Sequence, residues 1–154
     1  MWDSVFILMF GRYDLSHKIG MNYLENVVSV FNDTGAVYEN YAPMLDENGK
    51  PRQGNVSHAD FVGWTGIAPI SVLFEYVFGI KPDSGGNVIR WNIDLTDRFG
   101  VENYPFGADA RLSLLCAERG DISQEPQVDI RSDRPVTVEV CWDNGKQSKS
   151  IRIP

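Results

Sequence analysis

At the pair Gly85-Gly86 the spacing of apolar residues along the chain changes. Before it, Ile67, Ile70, Leu73, Phe74, Val77 and Phe78 recur at the interval of one helix face. After it, Ile89, Trp91, Ile93 and Leu95 alternate with Arg90, Asn92 and Asp94, the period of two that marks a half-buried strand. A helix-period pattern cannot rest as a strand, nor the reverse, so the chain divides between about residues 80 and 88.

On the helical side, Ser16 to Phe31 reads as a helix capped by Asp14 or Ser16 and ending at Asn32-Asp33-Thr34-Gly35. Ile19, Tyr23, Val27 and Val30 form one stripe; Leu24, Val28 and Phe31 widen it, as in a helix packed on two sides. Gly35 supplies the left-handed residue that turns the chain. A second helix begins near Gly66 or Ile67 with Pro69 in its first turn and stops at Gly79, with Pro82 as breaker. On the other side, strands are expected at Val101 to Phe106, Arg111 to Ala117, Gln127 to Arg131, Val136 to Trp142 and Ser148 to Ile153. Asn144-Gly145 is a type I′ hairpin signal. Short alternating strands with turns between them imply a small antiparallel, sandwich-like domain.

A net charge of −7 disfavours nucleic acid and anionic membrane surfaces as partners, because both call for a basic patch. The apolar run Trp2 to Phe10 is too short to span a bilayer and lacks the basic flank and cleavage site of an export signal. It reads as a buried helix cut from its setting, so any targeting signal lies upstream and localisation is not legible. Cys116 shares a face with Leu112 and Leu114, whereas Cys141 points away from Val138, Val140 and Trp142; a disulfide between them is unsupported. No Cys/His spacing fits zinc, and Asp46-Glu47-Asn48-Gly49 lacks the ligand spacing of a calcium loop and reads as a turn, so no metal or other cofactor is expected.

The chemistry concentrates in Tyr38-Glu39-Asn40-Tyr41 and, beyond a polar loop from Asp46 to Ser57, in Asp60-Phe61-Val62-Gly63-Trp64-Thr65-Gly66. A carboxylate between phenols and an amide can take a proton from water while its neighbours bond sugar hydroxyls. From composition alone Glu39 would be an exposed loop carboxylate, as most glutamates are. The two-part order, Glu-Asn-Tyr then a polar loop then Gly-Trp-Thr-Gly opening an apolar helix, resembles the end of the catalytic barrel in trehalase-like glycosidases. Those six-hairpin enzymes include the glucosidase I and mannosylglycerate-hydrolase types and have an (α/α)6 barrel.

The resemblance, which covers roughly residues 13 to 107, implies an inverting hydrolysis of α-glycosidic bonds with Glu39 as general base. It implies Tyr38, Asn40, Tyr41 and Trp64 as substrate-binding residues, an oligosaccharide or small α-glycoside as ligand, and no cofactor. Phe61 reads as core packing, Asp60 as a cap and His58 as a solvated loop residue. A second triplet, Glu102-Asn103-Tyr104, lacks the Gly-Trp-Thr-Gly companion and is assigned to strand packing. The chain is about one ordinary domain in size, whereas such a barrel needs well over twice its length. The expected architecture is therefore mainly α then β: residues 1–82 as terminal helices of a truncated barrel, 83–154 as a β-sandwich-like domain. The missing N-terminal barrel portion, including the general acid, would be its partner. The alternative is a carbohydrate-binding or structural β module with a helical remnant.

Overall fold

In a computed structural model, residues 12–38, 41–42, 44–52, 66–83 and 87–154 are described. They hold one long helix, α1 (Tyr13–Thr34), and one short helix, α2 (Ala68–Val72), which continues as a π-helical turn over Leu73–Val77. Seven strands follow: β1 (Ile80–Asp83), β2 (Val88–Asn92), β3 (Phe99–Phe106), β4 (Ala110–Cys116), β5 (Val128–Ser132), β6 (Val136–Trp142) and β7 (Gln147–Ile153). They form two sheets, ordered β1-β2-β6-β7 and β3-β4-β5.

This overturns the expectation of terminal helices of an (α/α)6 barrel: the described residues are mainly β, with two helices beside a two-sheet sandwich. Helical periodicity shows which face is buried but not what buries it. The face carrying Phe74 and Phe78 lies on strands. Phe74 meets Tyr104 at 5.5 Å between ring centroids, and Phe78 meets Phe99 at 5.6 Å. Nor is α1 buried on two sides. Val27 and Val30 are enclosed, whereas Val28 is 53% and Phe31 47% exposed.

The strands follow from alternation. Ala110, Leu112, Leu114 and Cys116 point inward from β4, Val136, Val138, Val140 and Trp142 from β6, and Ile89 and Trp91 from β2, and together they make one core. The Trp91 indole N–H donates to the carbonyl of Phe78 at 3.0 Å, so its one polar atom is satisfied inside that core. Cys116 and Cys141 are both buried free thiols. One pairing departs from the antiparallel expectation: β2 and β6 are parallel, Val88 opposite Thr137 through Asn92 opposite Cys141. The whole second sheet lies between them in the chain and serves as the long crossover that parallel pairing requires.

Turns hold these elements in place. Gly35 is left-handed (φ 73°, ψ 10°) and donates its N–H to the Phe31 carbonyl, closing α1. The start of α1 differs from expectation: Arg12 occupies the cap position and makes no side-chain capping bond. Gly79 is also left-handed, at φ 72°. A Cβ there would penetrate the backbone carbonyl of Asn92, so only glycine lets the helical segment turn into β1. Pro82 lies within β1, at the sheet edge, where its missing N–H breaks no ladder. At the β6–β7 hairpin, Asp143 and Asn144 take the positive-φ places, one residue earlier than Asn144-Gly145, with Gly145 following at φ 78°.

Candidate functional site

The first motif follows the end of α1. Tyr38 and Tyr41 are both half-buried, and the Tyr38 N–H donates to the Tyr41 hydroxyl at 3.4 Å. Beyond Tyr41, the Ala42 N–H donates to Arg52 O at 3.0 Å, which closes residues 42–52 as a loop. Within that loop Asp46 Oδ1 accepts the N–H groups of Asn48 and Lys50, each at 2.8 Å. The Lys50 bond, helped by that from Asn48, holds the Asp46 carboxyl below its ordinary pKa. This is the turn read from the sequence, with the carboxylate spent on backbone donors.

The second motif leads into α2 through Gly66 and Ile67, with Pro69 in the first turn of the helix. Along α1, His17 Nδ1 lies 3.4 Å from Tyr76 O, while a Cβ on Gly20 would meet Val72 and Tyr76 at ordinary contact distance. The start of α1 thus packs on the second helical segment. Of the residues assigned to the site, Tyr38 and Tyr41 are brought together; Glu39, Asn40 and Trp64 lie outside the described residues, as do His58, Asp60 and Phe61.

Next to this segment, the Tyr23 hydroxyl is buried and has no hydrogen-bond partner among the described residues. Burial, with a smaller effect from Tyr41, raises the pKa of its phenol. It therefore stays a neutral donor and acceptor close to the Tyr38–Tyr41 pair.

The second Glu-Asn-Tyr triplet sits in β3, where the pairing with β4 shifts register between Val101 and Tyr104. Asn103 has φ 57°, and Glu102 and Asn103 face solvent while Tyr104 packs on Phe74. The triplet here makes a β-bulge, so the same three residues serve a purely conformational purpose.

A polar assembly not picked out from the sequence lies at the seam between helices and sandwich. Ser16 and His17 of α1, Glu75 and Tyr76 of the π-helical turn, Lys81 of β1, Asn92 of β2 and Asp94 surround a space of about 10 Å³. That holds one water and no substrate. Burial pushes the Asp94 carboxyl above the usual carboxylate range, against the pull of His17 and Arg119. Burial likewise lowers the Lys81 ammonium, whose Nζ stands 4.4 Å from the centre of the Tyr76 ring. These seven residues fall in four separate short stretches, 16–17, 75–76, 81 and 92–94, with no shared spacing, so only the fold shows them as a group.

Comparisons of the chain with protein-family models, curated proteins and solved structures return no match. Among the described residues no group of three or more His, Cys, Asp or Glu side chains is arranged to hold a metal ion. No described helix is long and apolar enough to cross a membrane.

Proposed function

We propose that this chain is the C-terminal part of an inverting glycoside hydrolase acting on α-glycosidic bonds, with Glu39 as its general base. The observation that carries the reading is the two-part motif, Glu39-Asn40-Tyr41 with Gly63-Trp64-Thr65-Gly66 beyond a polar loop. Support comes from the frame around it. Tyr38 and Tyr41, which flank Glu39-Asn40 in the sequence, are half-buried and hydrogen-bonded to each other.

In such a reaction Glu39, ionised, removes a proton from water as the water attacks the anomeric carbon. A carboxylic acid on the opposite side protonates the leaving oxygen; in inverting enzymes the two groups stand about 6.5–9.5 Å apart, leaving room for the water. Asn40, Tyr38 and Tyr41 hold the base or the sugar hydroxyls, and Trp64 stacks on the apolar face of the ring. The acid belongs to a part of the protein outside this chain, so both parts are required for turnover.

The test uses the full polypeptide that contains this chain, assayed on aryl α-glucosides and α-mannosides. Glu39→Gln should lower kcat by about 10²–10⁴-fold with little change in thermal stability. Proton NMR of the wild-type reaction should show the β-anomer as the first product. Undiminished hydrolysis by the variant removes Glu39 from the mechanism; an α-anomer formed first removes inversion.

A second reading, a carbohydrate-binding β module, is favoured by the mainly-β architecture. It gains nothing from Trp91 and Trp142, both of which are buried in the core and unable to form a stacking surface.

A further inference from the structure

The seam crevice is too small for a ligand, but a larger depression lies elsewhere on the sandwich. It is open to solvent, has a volume of about 370 Å³, within the range of small-molecule sites, and is lined by Asn87, Phe106, Gly107, Asp109, Arg134 and Pro135 among others. Strand register fixes its place. Ile80 pairs with Trp91 next to the helices, and Asp83 pairs with Val88 at the other end of the same hairpin, beside Asn87. The β3–β4 turn and the β5–β6 link meet at that remote end.

The walls are held firmly. Asn87 O accepts the Thr137 N–H at 2.9 Å, which fastens the start of β2 to the start of β6. The Arg111 N–H donates to Asp133 Oδ1 at 2.7 Å, and the Asp133 N–H donates back to Arg111 O at 3.2 Å. Across the rim, Arg134 Nη2 donates to Asp109 Oδ2 at 2.7 Å, both side chains being well exposed. Each partner uses only part of its capacity: Asp109 Oδ1, Arg134 Nε and Nη1, and the Asn87 carboxamide have no protein partner among the described residues. Phe106 and Ala110 supply an apolar floor, and Pro135 an apolar wall.

We infer that this depression binds a small neutral polyol of pyranoside size. The charge of the rim is balanced, so neither an anion nor a cation gains from it. Vicinal hydroxyls, by contrast, can donate to the spare carboxylate oxygen and accept from the spare guanidinium N–H groups at the same time. The C–H face of the ring then rests on Phe106 and Pro135. The inference does not depend on Glu39, which belongs to the segment between the helices.

The experiment is a titration of the ¹⁵N-labelled chain with methyl α-glucopyranoside and methyl α-mannopyranoside, with sodium sulfate as a charged probe. Saturable amide shifts are expected at Gly107 to Ala110 and Arg134 to Thr137, with Kd in the range of about 1–10 mM that suits a shallow site. Arg134→Ala should weaken binding at least about tenfold, and Asp109→Asn, which keeps the side-chain shape, should do so if the alanine variant folds poorly. Glu39→Gln should leave these shifts unchanged, which separates failure here from failure of the hydrolase reading. Absence of saturable shifts in this group of residues overturns the inference. So does equal binding by wild type and both variants, or sulfate reproducing the glycoside shifts.

Discussion

Arg119 and Tyr23 are both polar groups taken out of water, in different regions. In the sandwich the Arg119 side chain, in a residue only 6% exposed, donates to the carbonyls of Ile93, Leu95, Ile122 and Gln124. Beside α1 the buried Tyr23 hydroxyl has no partner among the described residues. Apolar residues divide the same way. Ile89, Trp91, Leu114, Val138 and Val140 are fully enclosed in the sandwich, whereas Val28, Phe31, Ile67 and Ile70 on the helices face solvent. The sandwich therefore closes its apolar core, whereas the helical segment leaves part of its apolar face open; each region keeps one buried polar atom without a partner among the described residues, Asn92 Oδ1 in β2 and the Tyr23 hydroxyl in α1.

The most severe test of this division is at its hinge. Gly79→Ala forces a left-handed backbone on a residue with a side chain and drives a methyl into the Asn92 carbonyl. The two effects together should cost more than about 3 kcal/mol in urea denaturation followed by tryptophan fluorescence. A loss below about 1 kcal/mol would mean that the two regions are not joined as described.

A paired comparison comes next. Leu114→Ala opens a cavity in a closed core and should cost about 2–5 kcal/mol. Phe31→Ala, on the open face of α1, should stay within about 0.5 kcal/mol. Equal losses would mean that the helical face is covered.

The smallest effect belongs to Asp94 at the seam. Folding raises its pKa above the ordinary 3.8, so the folded chain holds the proton more tightly than the unfolded one. The carboxyl's contribution to stability is therefore lost as pH rises from 3.8 through the raised folded value. Asp94→Asn does not titrate, and its stability relative to wild type should improve as pH is raised from about 3 to about 7. A difference between the two that is flat with pH would show that Asp94 is not desolvated at this seam.

The same division explains what could be read from the sequence. Six strands stand within a few residues of their expected places because each is buried on one face, and alternation then encodes the fold directly. β1 was not legible. Ile80 and Pro82 look like the stop of a helix, and only pairing with β2 makes them a strand. The parallel β2–β6 pairing was hidden for a related reason: strand period carries no information about the direction of a neighbour. At the helices, a broad apolar stripe suits packing on two sides without saying what covers the second, and in this chain Val28 and Phe31 on it are exposed. In the candidate site, the Asp46 turn and the structural character of Glu102-Asn103-Tyr104 were legible because each is local. The seam residues were not, since they meet only through tertiary packing.

The parallel pairing of β2 with β6 also has a consequence in time. Val88 and Thr137 are about 50 residues apart in sequence, while the β6–β7 hairpin closes across only a few residues. A loop about ten times longer costs roughly 2 kcal/mol more in chain entropy to close. The hairpins β3–β4 and β6–β7 can therefore form early and locally, but β2 can dock only after the intervening sheet has brought the two distant stretches together. Until that late step, one edge of β6 is left unpaired and open to strands of other molecules.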